Sequence, residues 1–466
     1  MKKPTPHIEF IKKTLWIAVP IMIQTAITNF VGMLDNIMVG QIGTNQMTGV
    51  SIVNQLLFVF NLMIFGGTAG IGIFTAQFAG KRDQKGLMYT LRLKMMMGIL
   101  LSALGIGLFF FKGSSLISLW LSNGSSAADI FQTLKAAGSY LHVMLMGILP
   151  FAVTQVYAST LRENGETRVP MVAGITAILT DLVGNYILIY GHFGAPKLGV
   201  VGAAIATVLS RFIETAFVIL WSHSHTARFP FMKMAYCGFG VPRNLTVSIL
   251  IKAFPLLLNE TLWSMGQTAL SQQYSRLGLD VVGAFNISST IANVFNVAFI
   301  AMGDATAITM GQALGRMKDE EDRRLIRYDA NRLAIISVVL CVISGSFLAI
   351  TSRFFPMIYN TSATIKTTAS MLILVAAAFM PVYAYENASY FTLRSGGKTW
   401  ITFLFDSFFV WVVSIPAAIF FTRCTHWPIV PVYIAVQSFD FIKCLIGYLM
   451  VRQGGWIHNL TEYVKD

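Results

Sequence analysis

The sequence predicts an all-α membrane protein of twelve spanning helices arranged as two six-helix repeats. Three observations carry that prediction. Hydrophobic residues make up 55% of the 466 residues and charged residues only 12%, against about 25% charged in soluble domains. Apolar stretches recur at about 14–38, 50–78, 93–111, 135–158, 168–190, 199–221, 248–275, 284–311, 330–352, 369–392, 400–421 and 427–451. Each is close to the roughly 20 residues that cross a hydrocarbon core as a helix. The chain also repeats itself. At an offset of 235, Pro20 falls on Pro255, Gly43 on Gly278, Val59-Phe60-Asn61 on Val294-Phe295-Asn296, Gln77 on Gln312, Gly80 on Gly315 and Arg92 on Arg327. At 232, Leu161-Arg162 falls on Leu393-Arg394, Gly165 on Gly397 and Thr167 on Thr399. So many matches in one register predict two halves of the same topology, related by an axis along the membrane normal. Such repeats place the substrate site between the halves.

The halves are residues 1–221 and 248–466, joined by a polar and aromatic linker, 222–247. Lys and Arg cluster in alternate connections, as at Lys12-Lys13, Lys81-Arg82, Arg162, Arg228, Arg316 and Arg394, and are sparse in the others. The positive-inside rule then puts both termini in the cytoplasm. It also explains the net charge of +13 as topology plus attraction to anionic lipid, with no need for nucleic acid. The basic N-terminus followed by a long apolar run is expected to be an uncleaved first helix. The 4 cysteines are scattered and suggest neither a disulfide framework nor a metal site. No Walker motif, nucleophile constellation or cofactor fingerprint is present, so the chain reads as neither an enzyme nor an ATP-driven motor.

Chemistry is expected where polar residues sit inside apolar helices, because such groups are costly there and need a partner, an ion or a proton. Asp35 lies roughly 28 Å along the first helix at 1.5 Å per residue. Asp181 and Asn185 lie roughly 20 and 26 Å along the fifth, four residues apart and on one face. Thr207 lies roughly 12 Å in from the outer end of the sixth. All four can converge in the outer half of the first repeat. A carboxylate with oxygen-bearing neighbours suits a hard cation such as Na⁺, or a shared proton. Glu260 lies near the middle of the seventh helix, five residues after Pro255. These acids do not repeat: at the 235 offset Asp35 falls on Leu270 and Glu260 on Thr25. Asymmetry on a repeated scaffold points to function. The expectation for other charges is structural. Arg211 pairs with Glu214, Asp440 with Lys443, and Asp319–Asp322 form a solvated loop.

Pro20 with Asp35, the loops LRENGET (Leu161–Thr167) and LRSGGKT (Leu393–Thr399), and DLVGNYILIYG followed by LGVVGAAIAT (Asp181–Gly191, Leu198–Thr207) resemble the multidrug and toxic compound extrusion (MATE) transporters. The likeness is to bacterial members of the NorM and DinF kind and covers essentially the whole chain. It implies a V-shaped pair of lobes and a monomer in the bacterial plasma membrane. It also implies export of organic, often cationic, compounds against inward Na⁺ or H⁺, with no other cofactor. It places Ala203 beside Asp35, Asp181, Asn185 and Thr207 as a backbone-carbonyl ligand. The order on the fifth helix departs from the common Asn-then-Asp, being Asp181 then Asn185. In the second lobe the resemblance matches Glu260 and an acidic position near Tyr383, which is not acidic here. Glu386, three residues on, is the substitute. Pro20 is the expected hinge of the first helix. The alternative function on the same architecture is a flippase for lipid-linked oligosaccharides. Such polyanionic substrates call for several buried bases, whereas only Arg211 and Lys443 were expected inside helices. The residues leave open which ion couples, Na⁺ or H⁺, and which compounds are carried.

Overall fold

The computed structural model describes residues 5–119, 127–238 and 240–462. The terminal Lys2, Lys3 and Lys465, part of the basic cytoplasmic ends expected from the sequence, lie outside them. The described residues contain no strand. The helices of the first half are α1 (His7–Gly40), α2 (Thr44–Lys81), α3 (Gln84–Ser118), α4 (Ala127–Leu145), α5 (Ile148–Glu163), α6 (Arg168–Tyr190), α7 (Val200–Ser224) and the short α8 (Phe231–Met234) of the linker. The second half has α9 (Arg243–Ser275), α10 (Leu279–Arg316), α11 (Glu320–Thr351), α12 (Ala363–Ser395), α13 (Thr399–Phe403), α14 (Ile415–Cys424), α15 (Ile429–Ser438) and α16 (Asp440–Gln453). Among the described residues, 11 spans are long and apolar enough to cross a membrane. The fourth span makes a twelfth, and it is broken: α4 and α5 meet at 48°. Pro150 causes the break, because it lacks the N–H that would bond the Met146 carbonyl.

Two compact units emerge; one boundary, Thr246–Val247, falls at the end of the linker, and the others cut α1 and the end of α2. An N-unit comprises Ile23–Thr75 and Gln84–Thr246. A C-unit comprises Met1–Met22, Ala76–Asp83 and Val247–Asp466. The start of α1 and the last turns of α2 therefore pack with the second half. Ile17, Ala18 and Ile21 are buried against Ala301, Met302 and Ala305 of α10. Helix α1 continues through Pro20, and the unit boundary falls at Met22–Ile23, just beyond it.

The repeats share local solutions. In both LRxxGxT loops the glycine takes positive φ, 86° at Gly165 and 75° at Gly397, a region that a side chain would strain. The run Asp319–Asp322, expected as a solvated loop, instead opens α11. The Asp319 carboxylate accepts from the Asp322 N–H (2.9 Å), and the following acids sit at the positive end of the helix dipole.

Inside the C-unit, the last turns of α2 cross the last turns of α10 through residues that the repeat relates. A Cβ on Gly80 would lie 2.1 Å from the Gln312 carbonyl oxygen, and one on Gly315 would lie 1.9 Å from that of Gln77. The Gln77 side chain secures the crossing. Its Nε2 donates to the Ser395 and His458 carbonyls, and its Oε1 accepts from the Leu460 N–H. The obstruction at each glycine is backbone, so no rotamer relieves it. Gly315→Val is expected to destabilise the protein by about 3 kcal/mol or more, the upper range of core overpacking. Thermal unfolding of the purified variant in detergent checks this, and an unchanged midpoint would refute the crossing.

Candidate functional site

The polar residues of the N-unit meet because α6 and α7 pack closely. A Cβ on Gly202 would lie 2.5 Å from the Leu188 carbonyl oxygen, and one on Gly184 would lie 2.9 Å from the Ala206 Cβ. Only glycine at both positions lets the two helices touch backbone to backbone. That contact turns Asp181, Asn185 and Thr207 toward one point, where α1 supplies Asp35. Asn185 Nδ2 donates to Asp35 Oδ1 (2.9 Å). The Asp35 and Asp181 carboxyl groups face each other at hydrogen-bonding range, and Thr207 is placed to donate to Asp181. Asp181 and Asn185 are buried, and Oδ1 of each lacks a hydrogen-bond partner. Two like charges facing each other repel, and a proton or a cation between them removes the repulsion. The expected four residues are therefore brought together. Ala203 is buried one turn before Thr207 in regular helix.

Around this group stand Tyr140 and Arg211, which sequence reasoning did not place there. Tyr140 is within electrostatic reach of both acids, and its hydroxyl donates to Asn54 Oδ1 (3.1 Å). Arg211, expected to pair with Glu214, is also within range of Asp181. Its guanidinium turns to the break between α4 and α5, donating to the Gly147 carbonyl (3.1 Å) and lying 5.1 Å over the Phe151 ring. It borders the acid pair without bridging it.

The C-unit distributes its acids differently. Glu260 lies 3.8 Å from Arg394 of the second LRxxGxT loop. In the N-unit the matching Arg162 reaches the same region of α1 and donates to Gln24 Oε1 (2.8 Å). The loop arginine thus faces the first helix of each repeat, hydrogen-bonded to an amide in the N-unit and paired by charge with Glu260 in the C-unit, where Arg394 Nη1 has no hydrogen-bond partner. Glu386 is bound to Lys443 of α16, Nζ to Oε1 at 2.9 Å, and Lys443 also pairs with Asp440 (3.1 Å) as the spacing predicted. Tyr383 sits in an aromatic layer with Phe299 and Phe379, within electrostatic reach of Glu386. The three C-lobe residues expected from the sequence therefore have different direct partners, while Tyr383 and Glu386 are neighbours and Asp406 lies within electrostatic reach of both Glu260 and Glu386.

Asp406 and Asn259 join them, and no spacing in the sequence signals this. The eleventh span is π-helical over Leu404–Phe408 and Val410–Ser414. π-Bulges loosen the backbone ladder and recur at functional sites. Asn259 fills this one. Its Nδ2 donates to Asp406 Oδ2 (2.8 Å) and to the Tyr390 hydroxyl (3.2 Å). Its Oδ1 accepts from the Ser407 N–H (3.2 Å) and hydroxyl (2.7 Å). A side chain thus replaces the helical partner of a backbone N–H.

A family model described as MatE matches residues 20–187 and again 255–420. The chain belongs to the MatE family. The two matches begin at Pro20 and Pro255, the register of the internal repeat. MatE proteins are membrane transporters, so this chain is a transporter and not an enzyme. Among its relatives, the probable multidrug resistance protein NorM of Thermotoga maritima is 24% identical over 98% of this chain and 94% of its own. The multidrug resistance protein NorM of Vibrio vulnificus is 23% identical over 96% of both chains. Among solved structures, an outward-facing multidrug resistance MATE family transporter shares the fold with a TM-score of 0.84 at 19% identity, covering 97% of this chain and 98% of that one. A MOP superfamily transporter from Pyrococcus furiosus, described as having a binding pocket of reverse polarity, superposes with a TM-score of 0.81 over 100% of both chains, also at 19% identity.

In this MatE transporter, Asn259→Ala is expected to remove the side-chain partner of three groups, Asp406 Oδ2, the Tyr390 hydroxyl and the Ser407 N–H, while the Ser407 hydroxyl keeps the Asn259 carbonyl. It should cost roughly 2–5 kcal/mol, at 1–3 kcal/mol per buried group left unsatisfied and with some repair by water. Thermal unfolding in detergent measures the loss. A variant as stable as the parent would show that Asn259 does not hold the π segment.

Proposed function

We propose that this transporter is a secondary antiporter that exports organic, predominantly cationic, compounds in exchange for inward Na⁺ or H⁺. Asp35 and Asp181 form its coupling site, with Asn185, Thr207 and the Ala203 carbonyl completing it. The observation that carries the reading is the facing pair of carboxyl groups with two buried acceptor oxygens, Asp181 Oδ1 and Asn185 Oδ1, left without partners. An oxygen-lined, negatively charged site with spare lone pairs takes up a small hard cation or a proton. The drug-resistance names of the relatives, NorM of two bacteria and MdtK of Edwardsiella ictaluri, support the substrate class.

The mechanism follows from charge. With the site empty, two carboxylates at membrane depth demand solvation and hold it open to water. Binding a cation or proton cancels that demand and favours a dehydrated arrangement of α1 against α6 and α7. Pro20, adjacent to the boundary where α1 passes between the compact units, is the joint at which α1 bends. Entry of one charge gains about 2.3 kcal/mol per 100 mV, enough to concentrate a neutral compound about 50-fold outward. Glu260, Glu386 and Tyr383 of the C-unit face the transport cycle as structural partners of Arg394, Lys443 and the aromatic layer. The protein works as a monomer in a bacterial plasma membrane with both termini inside. A flippase for polyanionic lipids would need free buried bases. The structure buries more helical bases than the Arg211 and Lys443 expected from the sequence, namely Arg92, Lys94, Arg332 and Arg394, and each of the six is engaged by a carbonyl, a ring or a carboxylate.

The test is efflux of ethidium from proteoliposomes under an imposed Na⁺ gradient or an imposed pH gradient. Wild type is expected to respond to one gradient. Asp35→Asn and Asp181→Asn are expected to lose at least about 90% of the driven rate, since removing one charge of the pair removes more than 1.4 kcal/mol of ion binding. Asn185→Ala should weaken it several-fold. Full driven efflux in Asp35→Asn would sink the coupling site. No efflux of any cation under either gradient would sink the substrate class and favour the flippase.

A further inference from the structure

We propose that Lys443 is a tethered counter-cation: its ammonium occupies the position in the C-unit that a dissolved Na⁺ would take, so this unit carries its own cation and binds none from solution. Lys443 Nζ is held by Glu386 Oε1 at 2.9 Å and Asp440 Oδ1 at 3.1 Å, with its side chain only 7% exposed. Asp406 is within electrostatic reach, and the Phe409 ring lies 5.2 Å from the nitrogen. Carboxylates from α12, α16 and the π-helical segment therefore converge on one compact positive charge. An ammonium is a strongly hydrated point charge with three donors, and oxygen atoms around it make the same kind of cage that a hard monovalent cation requires.

The repeat supplies an independent comparison. At the offset of 232, Lys443 falls on Arg211, so each half carries one base at the same place on its last span. The two bases are used in opposite ways. Arg211 is drawn aside by the Gly147 carbonyl and the Phe151 ring, and Asp181 keeps an unpartnered oxygen. Lys443 enters its acid cluster and satisfies it. Neither Glu386 nor Asp440 has a buried oxygen left without a partner, whereas Asp181 has one. Arginine, with its planar fork, is suited to a carbonyl and a ring face, and lysine to the centre of an oxygen cage. A solution cation could enter the C-unit cluster only by displacing a charge that is covalently attached. This deepens the coupling reading above by restricting the dissolved ion to the N-unit.

The experiment is equilibrium binding of ²²Na⁺ to purified full-length protein in detergent. It compares wild type, Lys443→Ala, Lys443→Arg, Glu386→Gln and the double variant Lys443→Ala with Glu386→Gln. Lys443→Ala is expected to bind about one Na⁺ more per chain than wild type, the vacated buried carboxylates demanding a replacement charge. The double variant and Lys443→Arg should show no such gain. Glu386→Gln should bind as much Na⁺ as wild type, because no dissolved ion sits beside Glu386. Reduced binding in Glu386→Gln would overturn the proposal, as would a folded Lys443→Ala with no gain. The Glu386→Gln comparison stands even where Lys443→Ala does not fold. Asp35→Asn, measured alongside, reports on the N-unit site alone, so failure of that site and failure of the lysine proposal give different patterns.

Discussion

A charge buried in a lipid-embedded bundle must be compensated within reach of its own side chain, and the arrangement of this transporter follows from how each buried charge meets that demand. Most are closed pairs or carbonyl cages. Lys94, wholly buried, donates to Glu163 (2.6 Å) and Ser159 (2.9 Å). Arg92 spends its guanidinium on the carbonyls of Met234, Ala235, Cys237 and Gly240, and so fastens the linker to α3. Glu260 has Arg394, and Glu386 has Lys443. Asp35 and Asp181 are different: their carboxyl groups face each other, and Arg211, within range of Asp181, is spent on a carbonyl and a ring. In the function proposed above, the compensating charge comes from outside the chain.

Glycines decide how near the helices come, and thereby where those charges meet. Gly184 and Gly202 bring α6 against α7 and set the acid pair. Gly80 and Gly315 bring the ends of α2 and α10 together, carbonyl against missing side chain. Lipid offers no hydrophobic drive for helices to associate, so small residues and interhelical hydrogen bonds carry the packing. The same residues that hold the bundle thus fix its chemistry, and a side chain added at one of them would displace both.

The two halves start from one scaffold and diverge in a few side chains. Arg162 and Arg394 face the first helix of their repeats, hydrogen-bonded to an amide in one half and paired by charge with a carboxylate in the other. Arg211 and Lys443 occupy one position, with the arginine turned away from its acids and the lysine seated among them. The eleventh span is π-helical about Asn259. Divergence of this kind is what the proposed division of labour between the halves rests on.

By itself the sequence determined the class, the duplication, the loop glycines and the convergence of Asp35, Asp181, Asn185 and Thr207. These rest on apolar length, an ungapped register and helical rise, all of which are local along the chain. The partners of the C-unit acids were decided by tertiary structure alone. Glu386 and Lys443 lie 57 residues apart, and Asn259 and Asp406 lie 147 apart. Nothing in their spacing shows that α12, α16 and the π-helical segment face one another. The break at Pro150 and the acids that cap α11 were likewise settled by geometry. Helical periodicity specifies which residues share a face, whereas packing specifies what that face meets.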